Sequence, residues 1–273
     1  MPSRTKALFF GVILSSALSL HASPQLPQAP TSPPAPPPQQ QAQPQAPQQS
    51  QLPPQSQPPP AEQPPAPRNA LGVVVLDPAH GGADTGARGA SGLTESDVVL
   101  GLARLVRISL EAQGLRVVLT RQAAEDPSFD DRSKIANAQR GAIFISLHVS
   151  STGPPGAVRV YSLPQRAPAA DPAPARPGPI HWEEAQLPYL DLSRNLAAAI
   201  QTRMARLFRG SPDSPPAAPV RQLRNVAVPA VAIEISSVSV PDRTLLDRMA
   251  PVFADSLARG VADFRPMFEA SMK

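Results

Sequence analysis

The sequence contains no cysteine, few aromatic residues and no cluster of Lys and Arg side chains. Without cysteine, the fold cannot depend on disulfide bonds, and no lipid can be attached to a cysteine behind a leader segment. Aromatic residues make up 4% of the chain, and the formal net charge is only +4. Nucleic-acid-binding proteins usually combine basic and aromatic clusters, so we expect no nucleic-acid partner.

The chain also lacks an apolar run long enough to span a bilayer comfortably. The apolar segment at residues 7–20 follows Arg4 and Lys6 and precedes the small residue Ala22. A membrane-spanning helix needs about 20 apolar residues, whereas this order of charge, apolar run and small residue is typical of a secretory signal. We therefore predict a signal peptide at 1–22, export across the inner membrane and no stable membrane insertion after cleavage. Leu20, a poor residue for a cleavage site, leaves a retained anchor as the alternative.

Proline and glutamine are abundant in one segment of the chain. They supply 31 of the 46 residues from 23 to 68. Such a composition cannot bury enough apolar area to offset the conformational entropy lost on folding. We predict a disordered linker at 23–69 that acts as a spacer. A proline-rich docking ligand is the alternative, but no repeated PxxP core with flanking basic residues supports it.

Residues 70–273 have the composition and periodicity of one globular domain. Apolar runs predict strands, and amphipathic patterns with Ser or Thr at their starts predict helices. The alternation of strand and helix favours an α/β layer with a parallel sheet. The predicted strands are 71–76, 115–119, 142–147, 157–162 and 229–235; the predicted helices are 94–113, 128–139, 191–208 and two at the end, the last beginning at Pro251.

Four polar side chains lie at or near strand ends, where α/β folds place ligands. His80 follows the first strand, His148 follows the third and Glu234 lies near the end of the last, while Glu95 begins the helix after the first strand. Ligand sites in open α/β sheets collect beyond the carboxyl ends of the strands, so we expect these side chains to converge. Two His and a Glu are typical ligands of a catalytic zinc ion, and a further carboxylate can then take a proton from water.

Each of these residues also has an interpretation that needs no metal. A His at a strand end is often a hydrogen-bonded structural residue, and the helix dipole favours a carboxylate such as Glu95 in the first turn. Glu234 is the hardest to explain in this way, because a carboxylate in an apolar strand needs a partner. The glycine-rich segment 81–92 lacks the spacing of a nucleotide-binding loop.

Five segments follow one another between residues 71 and 273: VVVLDPAHGGADTGARGASGLTESD, GLRVVLTR, Arg132 with Ala136 and Asn137, FISLHVSS, and VPAVAIEIS. Each segment alone is a weak motif, but five in the right order and spacing are specific. Together they resemble the zinc-dependent N-acetylmuramoyl-L-alanine amidases, the cell-separation type of bacterial cell-wall amidases. The resemblance covers nearly all of residues 71–273.

The resemblance implies a single α/β domain with a twisted, mostly parallel mixed sheet and helices on both faces. It also implies that His80, Glu95 and His148 bind Zn²⁺ and that Glu234 is the catalytic base. The implied reaction is hydrolysis, by zinc-activated water, of the amide between the lactyl group of N-acetylmuramic acid and L-alanine. We accordingly expect a monomeric periplasmic or cell-wall-associated enzyme whose partners are peptidoglycan and, as a further candidate, an activator or divisome protein.

The chain departs from the family pattern in the loops around these residues. Ala79 stands where the family usually has Gly, and Val149 and Ser150 replace an Ala-Asn pair. After the catalytic Glu the family typically continues Gly-Phe-x-Ser-Asn, whereas residues 235–239 here are Ile-Ser-Ser-Val-Ser. These changes leave two alternatives to the amidase: a catalytically inactive wall-binding or divisome-interaction module, and a zinc hydrolase acting on another amide.

The proline-rich loop at 163–188 lies where some family members carry a helix that plugs the site. Its prolines prevent a long helix, so any occlusion here must use a loop. His181, Glu183 and Glu184 could then reach the metal as a lid. An ordinary charged surface loop is the alternative interpretation.

Overall fold

The computed structural model describes residues 70–89, 92–165, 181–236 and 244–271. These residues belong to a compact unit that covers Ala61–Lys273. The predicted signal peptide at 1–22 and the predicted linker at 23–69 lie outside the described residues, so both stay predictions. Within the described ranges, no helix is long and apolar enough to cross a membrane.

A five-stranded mixed sheet forms the centre of the domain. Its strand order is β2-β1-β3-β5-β4. All neighbouring strands are parallel except β4, which pairs antiparallel with β5 at one edge. The mostly parallel mixed sheet is therefore confirmed. The strands are β1 (Val73–Pro78), β2 (Arg116–Leu119), β3 (Ala142–Ser150), β4 (Val158–Tyr161) and β5 (Ala230–Ser236).

Helices cover both faces of this sheet, because alternate strand residues are apolar on each side. One face packs against three helices through the larger apolar core. The other face packs against one helix and the short 3₁₀ turn at Arg221–Leu223. The helices of the first face are α1 (Glu95–Glu111), α3 (Leu190–Leu207) and α4 (Thr244–Ser271), and the helix of the second face is α2 (Phe129–Asn137).

The predicted helix starts are confirmed at two positions that matter for the site. The Thr94 hydroxyl accepts a hydrogen bond from the backbone N–H of Asp97 at the start of α1. Ser128 caps α2 in the same way through the N–H of Asp131. Each cap satisfies a backbone donor that the first helical turn leaves free. The first of them places Glu95 at the first position of α1.

Two boundaries differ from those that the sequence predicts. The two closing helices are one helix, α4, which contains both Pro251 and Pro266. An internal proline costs about 3 kcal/mol, but the apolar face of α4 continues past both prolines into the core, and this packing offsets the loss. Strand β3 also runs beyond residue 147, because its pairing with β5 extends to Ser150 opposite Ser236. His148 therefore lies within the strand.

Candidate metal centre

The four predicted site residues lie at the carboxyl ends of the central strands. His148 on β3 and Glu234 on β5 are directly paired, so their side chains share one face of the sheet. That face is the one covered by α2, because Phe144 and Ala232, an even number of residues away on the same strands, lie in the core on that side. His80 follows β1, and Glu95 approaches from the start of α1.

His80, Glu95 and His148 form a compact group of metal-ligating atoms. Each residue offers one ligand atom, and the three atoms lie within 4.8 Å of one another. The Glu95 carboxylate lies between the two imidazoles. Its Oε2 is 3.1 Å from Nε2 of His80, and its Oε1 is 3.1 Å from Nδ1 of His148. The fold thus brings together residues that are up to 68 positions apart in the chain (148 minus 80).

The remaining nitrogen of each imidazole has its own hydrogen-bond partner. Nδ1 of His80 is 2.8 Å from Oδ2 of Asp84. Nε2 of His148 is 3.2 Å from the Ser146 hydroxyl, which in turn donates to Asp77 over 2.8 Å. Such partners select the ring tautomer and orient the free nitrogen toward a metal. Sequence reasoning missed Asp84, Ser146 and Asp77, although all three lie in or beside the segments that carry the resemblance.

Two buried arginines hold the loop that carries His80. The Arg121 guanidinium donates to the carbonyls of Pro78 and Ala79 over 2.7 and 3.0 Å. Arg132 donates to the carbonyl of His80 over 2.9 Å and forms a buried ion pair with Asp77 at 2.6 Å. Both side chains are almost fully buried. The backbone on either side of the first imidazole is therefore attached to the β2 and α2 regions by charged hydrogen bonds.

Glycine is required at one point of the site that sequence reasoning did not single out. Gly86 has a φ of 63°, and a Cβ there would lie 2.5 Å from Oε2 of Glu95 and 2.6 Å from the His80 ring. A Cβ on Gly81 would meet the backbone oxygen of Glu125, so that glycine serves packing within the protein.

The family departure at Ala79 is accommodated without a strained backbone. Among the described residues, His80 is the only non-glycine residue with a positive φ, 61°. Ala79 is buried, and its N–H donates to the carbonyl of Leu147 over 3.2 Å. The backbone conformation at position 79 therefore does not require glycine. The possible lid residues His181, Glu183 and Glu184 are not part of the group of ligand atoms found in the described ranges.

Glu234 is paired across the sheet with the ligand residue His148 and borders a cavity. The cavity measures about 350 Å³ and is lined by His148, Tyr161, Val220 and Glu234, among others. A second cavity of about 410 Å³ lies on the other side of His148 and is lined by His80, Phe129 and Arg132, among others. Both carboxylate oxygens of Glu95 are engaged by the imidazoles, whereas Glu234 is partly exposed and has Nη1 of Arg159 at 3.5 Å from its Oε1. Of Glu95 and Glu234, only Glu234 lines one of these two cavities.

The electrostatics of the site favour a bound cation. Burial acts to raise the pKa of Glu95, but hydrogen bonds from His148, His80 and the N–H of Ala87 outweigh it and hold that pKa well below its usual range. The hydrogen bond to Glu95 raises the pKa of His80 to about 9; burial opposes this shift and the bond to Asp84 adds to it. A proton on His80 therefore neutralises carboxylates that a divalent cation could neutralise instead.

Metal binding should consequently release protons at neutral pH. A ligand imidazole must be neutral, and in the metal-free protein the pKa of His80 is about 9. We expect about one proton from His80 to be released per zinc at pH 7, and affinity to fall as the pH is lowered below 9. The raised pKa of His80 also means that its protonation stabilises the folded, metal-free protein. This contribution is fully present below pH ~6.5 and is lost as the pH rises through about 9. Calorimetric titration in two buffers of different ionisation enthalpy measures the release; zero protons would contradict the prediction.

Loss of the carboxylate behind His80 should weaken metal binding. Asp84→Asn keeps the shape of the side chain but removes the charge that orients the imidazole. We expect zinc affinity to fall by roughly 10- to 100-fold, as when other groups that hydrogen-bond to metal ligands are replaced. Competition with a chromogenic chelator measures it. Asp263→Asn is the matched control, because Asp263 pairs with Arg203 on the opposite side of the sheet; equal affinities in both variants would contradict the prediction.

The donor set fits a catalytic zinc ion. Two imidazoles and one carboxylate are ligands of catalytic zinc sites, which keep a further position open for water. The ring nitrogens not used as ligands are held, and Gly86 leaves room for the ligand side chains. Together with the mixed sheet, this geometry defines a class: an α/β protein with a candidate hydrolytic metal site beyond the carboxyl ends of its strands.

The chain belongs to the N-acetylmuramoyl-L-alanine amidase family, whose sequence profile matches residues 74–263. It is 42% identical over 96 residues to N-acetylmuramoyl-L-alanine amidase AmiA of Escherichia coli (strain K12), a match that covers 34% of this chain and 33% of that protein. The germination-specific N-acetylmuramoyl-L-alanine amidase of Bacillus subtilis (strain 168) is 28% identical over 209 residues, covering 69% of this chain and 76% of that one. The predicted family is confirmed.

Solved structures agree with this assignment. The N-acetylmuramoyl-L-alanine amidase AmiC2 of Nostoc punctiforme superimposes with a TM-score of 0.50 at 26% identity, covering 72% of this chain and 98% of that chain. The predicted α/β fold is thus confirmed. The matches to the first curated relatives span about a third of the length of those proteins.

Proposed function

We propose that this protein is a zinc-dependent N-acetylmuramoyl-L-alanine amidase that hydrolyses the amide between the lactyl group of N-acetylmuramic acid and L-alanine in peptidoglycan. The observation that carries the proposal is the group of His80, Glu95 and His148, whose ligand atoms lie within 4.8 Å, with Glu234 on the adjacent strand. Membership of the amidase family supports the same reaction.

His80, Glu95 and His148 would bind the zinc ion. At that position a zinc ion would supply two things: activation of water at neutral pH and polarisation of the carbonyl of the amide to be cleaved. Asp84 and Ser146 hold the two imidazoles in the tautomers that this requires. Arg121 and Arg132 fix the backbone around His80, so the first ligand needs little rearrangement when the metal binds.

Glu234 would move the proton in this reaction. Its carboxylate accepts a proton from the attacking water and then donates it to the nitrogen of the leaving L-alanine. A general base must lie within hydrogen-bond reach of the proton that it takes, and the pairing of Glu234 with His148 on the adjacent strand supports this role. The leaving peptide is therefore expected on the Glu234 side of the metal.

The two cavities beside His148 would accommodate the two halves of the substrate. The cavity at Glu234 and Tyr161 would take the peptide, and the cavity at His80 and Phe129 would take the muramoyl side. Both lie over the same sheet face. This orientation follows from the position of the proton donor relative to the leaving nitrogen.

The predicted export signal and linker suit an enzyme that acts on the cell wall. We propose periplasmic or wall-associated action by a monomer, with residues 23–69 as a flexible spacer. Regulation by an activator or divisome protein is a further part of this proposal. Its support is the sequence of the amino-terminal segments together with the resemblance to cell-separation amidases.

A muropeptide assay on purified protein tests the proposed function. Isolated peptidoglycan should release free stem peptides, identified by mass analysis, and a chelator should abolish the release. Restoring zinc should recover it. Cleaved cross-links or glycan ends would instead indicate a hydrolase for another bond. Binding to peptidoglycan without any release would indicate the catalytically inactive module.

A further inference from the structure

Arg159 lies beside the proposed catalytic base on the edge strand. It is paired across the sheet with Glu234, which is itself paired with His148 on the next strand. Residues paired in this way present their side chains on the same face. His148, Glu234 and Arg159 thus form a row across three strands, which begins at a metal ligand and ends at a guanidinium.

The Arg159 guanidinium is held in a defined place. Its Nη1 donates to the Ser236 hydroxyl over 2.7 Å. A Cβ on Gly153 would lie 3.1 Å from its Nη2, so the absence of a side chain there leaves room for the group. Ser236 stands where the family pattern has a Phe, which could not accept this hydrogen bond. The chain therefore combines an arginine and its anchor at this position.

The contact between this arginine and the proposed catalytic carboxylate is longer than an ordinary hydrogen bond. Nη1 of Arg159 is 3.5 Å from Oε1 of Glu234, which is longer than an ordinary N–H···O hydrogen bond of about 2.7–3.2 Å. Nε and Nη2 donate to no described residue, and a quarter of the side chain is exposed. Arginine presents its donors in a planar fork that matches a carboxylate. Nε and Nη2 are therefore the donors with which the group can bind a further carboxylate.

Two guanidinium groups that lie close to the ligands, Arg132 and Arg121, are not available for this role. Arg132 is 4% exposed and engages Asp77, while Arg121 is 3% exposed and donates to backbone carbonyls. Arg159 provides an accessible positive charge in the row.

We propose that Arg159 binds a carboxylate of the leaving peptide and so determines a preference for acidic stem peptides. This inference rests on the proposed function, which places the leaving amine at Glu234. Neighbouring strands lie about 4.8 Å apart, and an extended chain rises about 3.3 Å per residue. Arg159 is thus one strand beyond the base, within reach of the first two residues of the leaving peptide. The second residue of a stem peptide is a D-glutamate whose α-carboxylate is free in the unmodified form.

Binding of two product peptides to the zinc-loaded full chain tests this inference. The probes are L-alanyl-D-glutamate γ-methylamide, which carries one α-carboxylate, and the same peptide with that carboxylate converted to an amide. We expect the wild type to bind the carboxylate form at least about tenfold more tightly, as for a charge-assisted hydrogen bond. Arg159→Gln should bind both peptides equally, Arg159→Lys should keep a smaller preference, and Ser236→Ala should reduce it.

Arg107→Gln is the matched control, because it removes the same charge from an exposed pair on α1, and it should keep the full preference. Equal binding of both peptides by the wild type, or an unchanged preference in Arg159→Gln, would overturn the inference. Release of stem peptides from peptidoglycan is scored separately. Release without a preference refutes only the role of Arg159, whereas a preference without release supports that role and refutes the amidase reaction.

Discussion

Glu234→Gln is expected to retain zinc and to lose turnover by a factor of about 10² to 10⁴, the usual contribution of a positioned general base. The amide of glutamine has nearly the same shape as the carboxylate but cannot accept and return a proton. The three ligand atoms belong to His80, Glu95 and His148, so the metal should stay in place. Zinc content and the rate of stem-peptide release, measured on the same preparation, check both halves of this prediction.

The ligand variants should behave in the opposite way. His80→Ala and His148→Ala each remove one of three donors, so zinc should be lost together with activity. Added zinc should not restore these variants to the wild-type rate. Zinc missing from Glu234→Gln but present in His80→Ala would reverse the proposed roles and contradict the prediction.

Arg132→Met is expected to destabilise the domain by about 3–5 kcal/mol, because it leaves the buried carboxylate of Asp77 without its cation. Asp77 is 1% exposed, and Nη1 of Arg132 is 2.6 Å from its Oδ1. A native domain is stable by only about 5–15 kcal/mol, so the loss should lower the melting temperature by roughly 10 °C. Thermal unfolding followed by circular dichroism measures it.

A second substitution separates the effect of the unpaired charge on stability from the effect of the lost hydrogen bond at His80 on zinc affinity. Asp77→Asn combined with Arg132→Met removes the unpaired charge and should recover much of the stability. Zinc affinity should be lower than in the wild type in both the single and the double variant, because the His80 carbonyl lacks its donor in each. Arg203→Met breaks a partly exposed pair on the opposite face and should cost about 1 kcal/mol or less. Equal melting temperatures for Arg132→Met and Arg203→Met would refute the role assigned to the buried pair.

Much of the fold could be predicted from the sequence because its signals are local. Apolar runs mark the strands, and the caps at Thr94 and Ser128 mark two helix starts within a residue. The error at the end of the chain has the same origin. Pro251 is a local signal for a helix start, but packing of α4 against the core extends over the whole helix and overrides it.

The candidate site was predictable in its ligand types but not in its supporting contacts. His80, His148 and Glu95 stand out because polar residues at strand ends and helix starts are where α/β folds bind ligands. Asp77 and Ser146 do not stand out, because their role depends on the pairing of β1 with β3, which places them opposite each other. Asp84 was also missed, since its contact with His80 depends on the path of one loop.

The sequence by itself determined the order of strands and helices along the chain, the imidazole and carboxylate groups available for the site, and the family. These properties depend on residue type and spacing along the chain. Only the tertiary structure decided that Glu95 lies between the two imidazoles, that Arg132 supports the first of them and that Arg159 lies beside Glu234. The reason is physical: such contacts join residues 15 (95 minus 80) to 75 (234 minus 159) positions apart. Their distances are set by strand register and loop paths, which arise from packing of the whole domain.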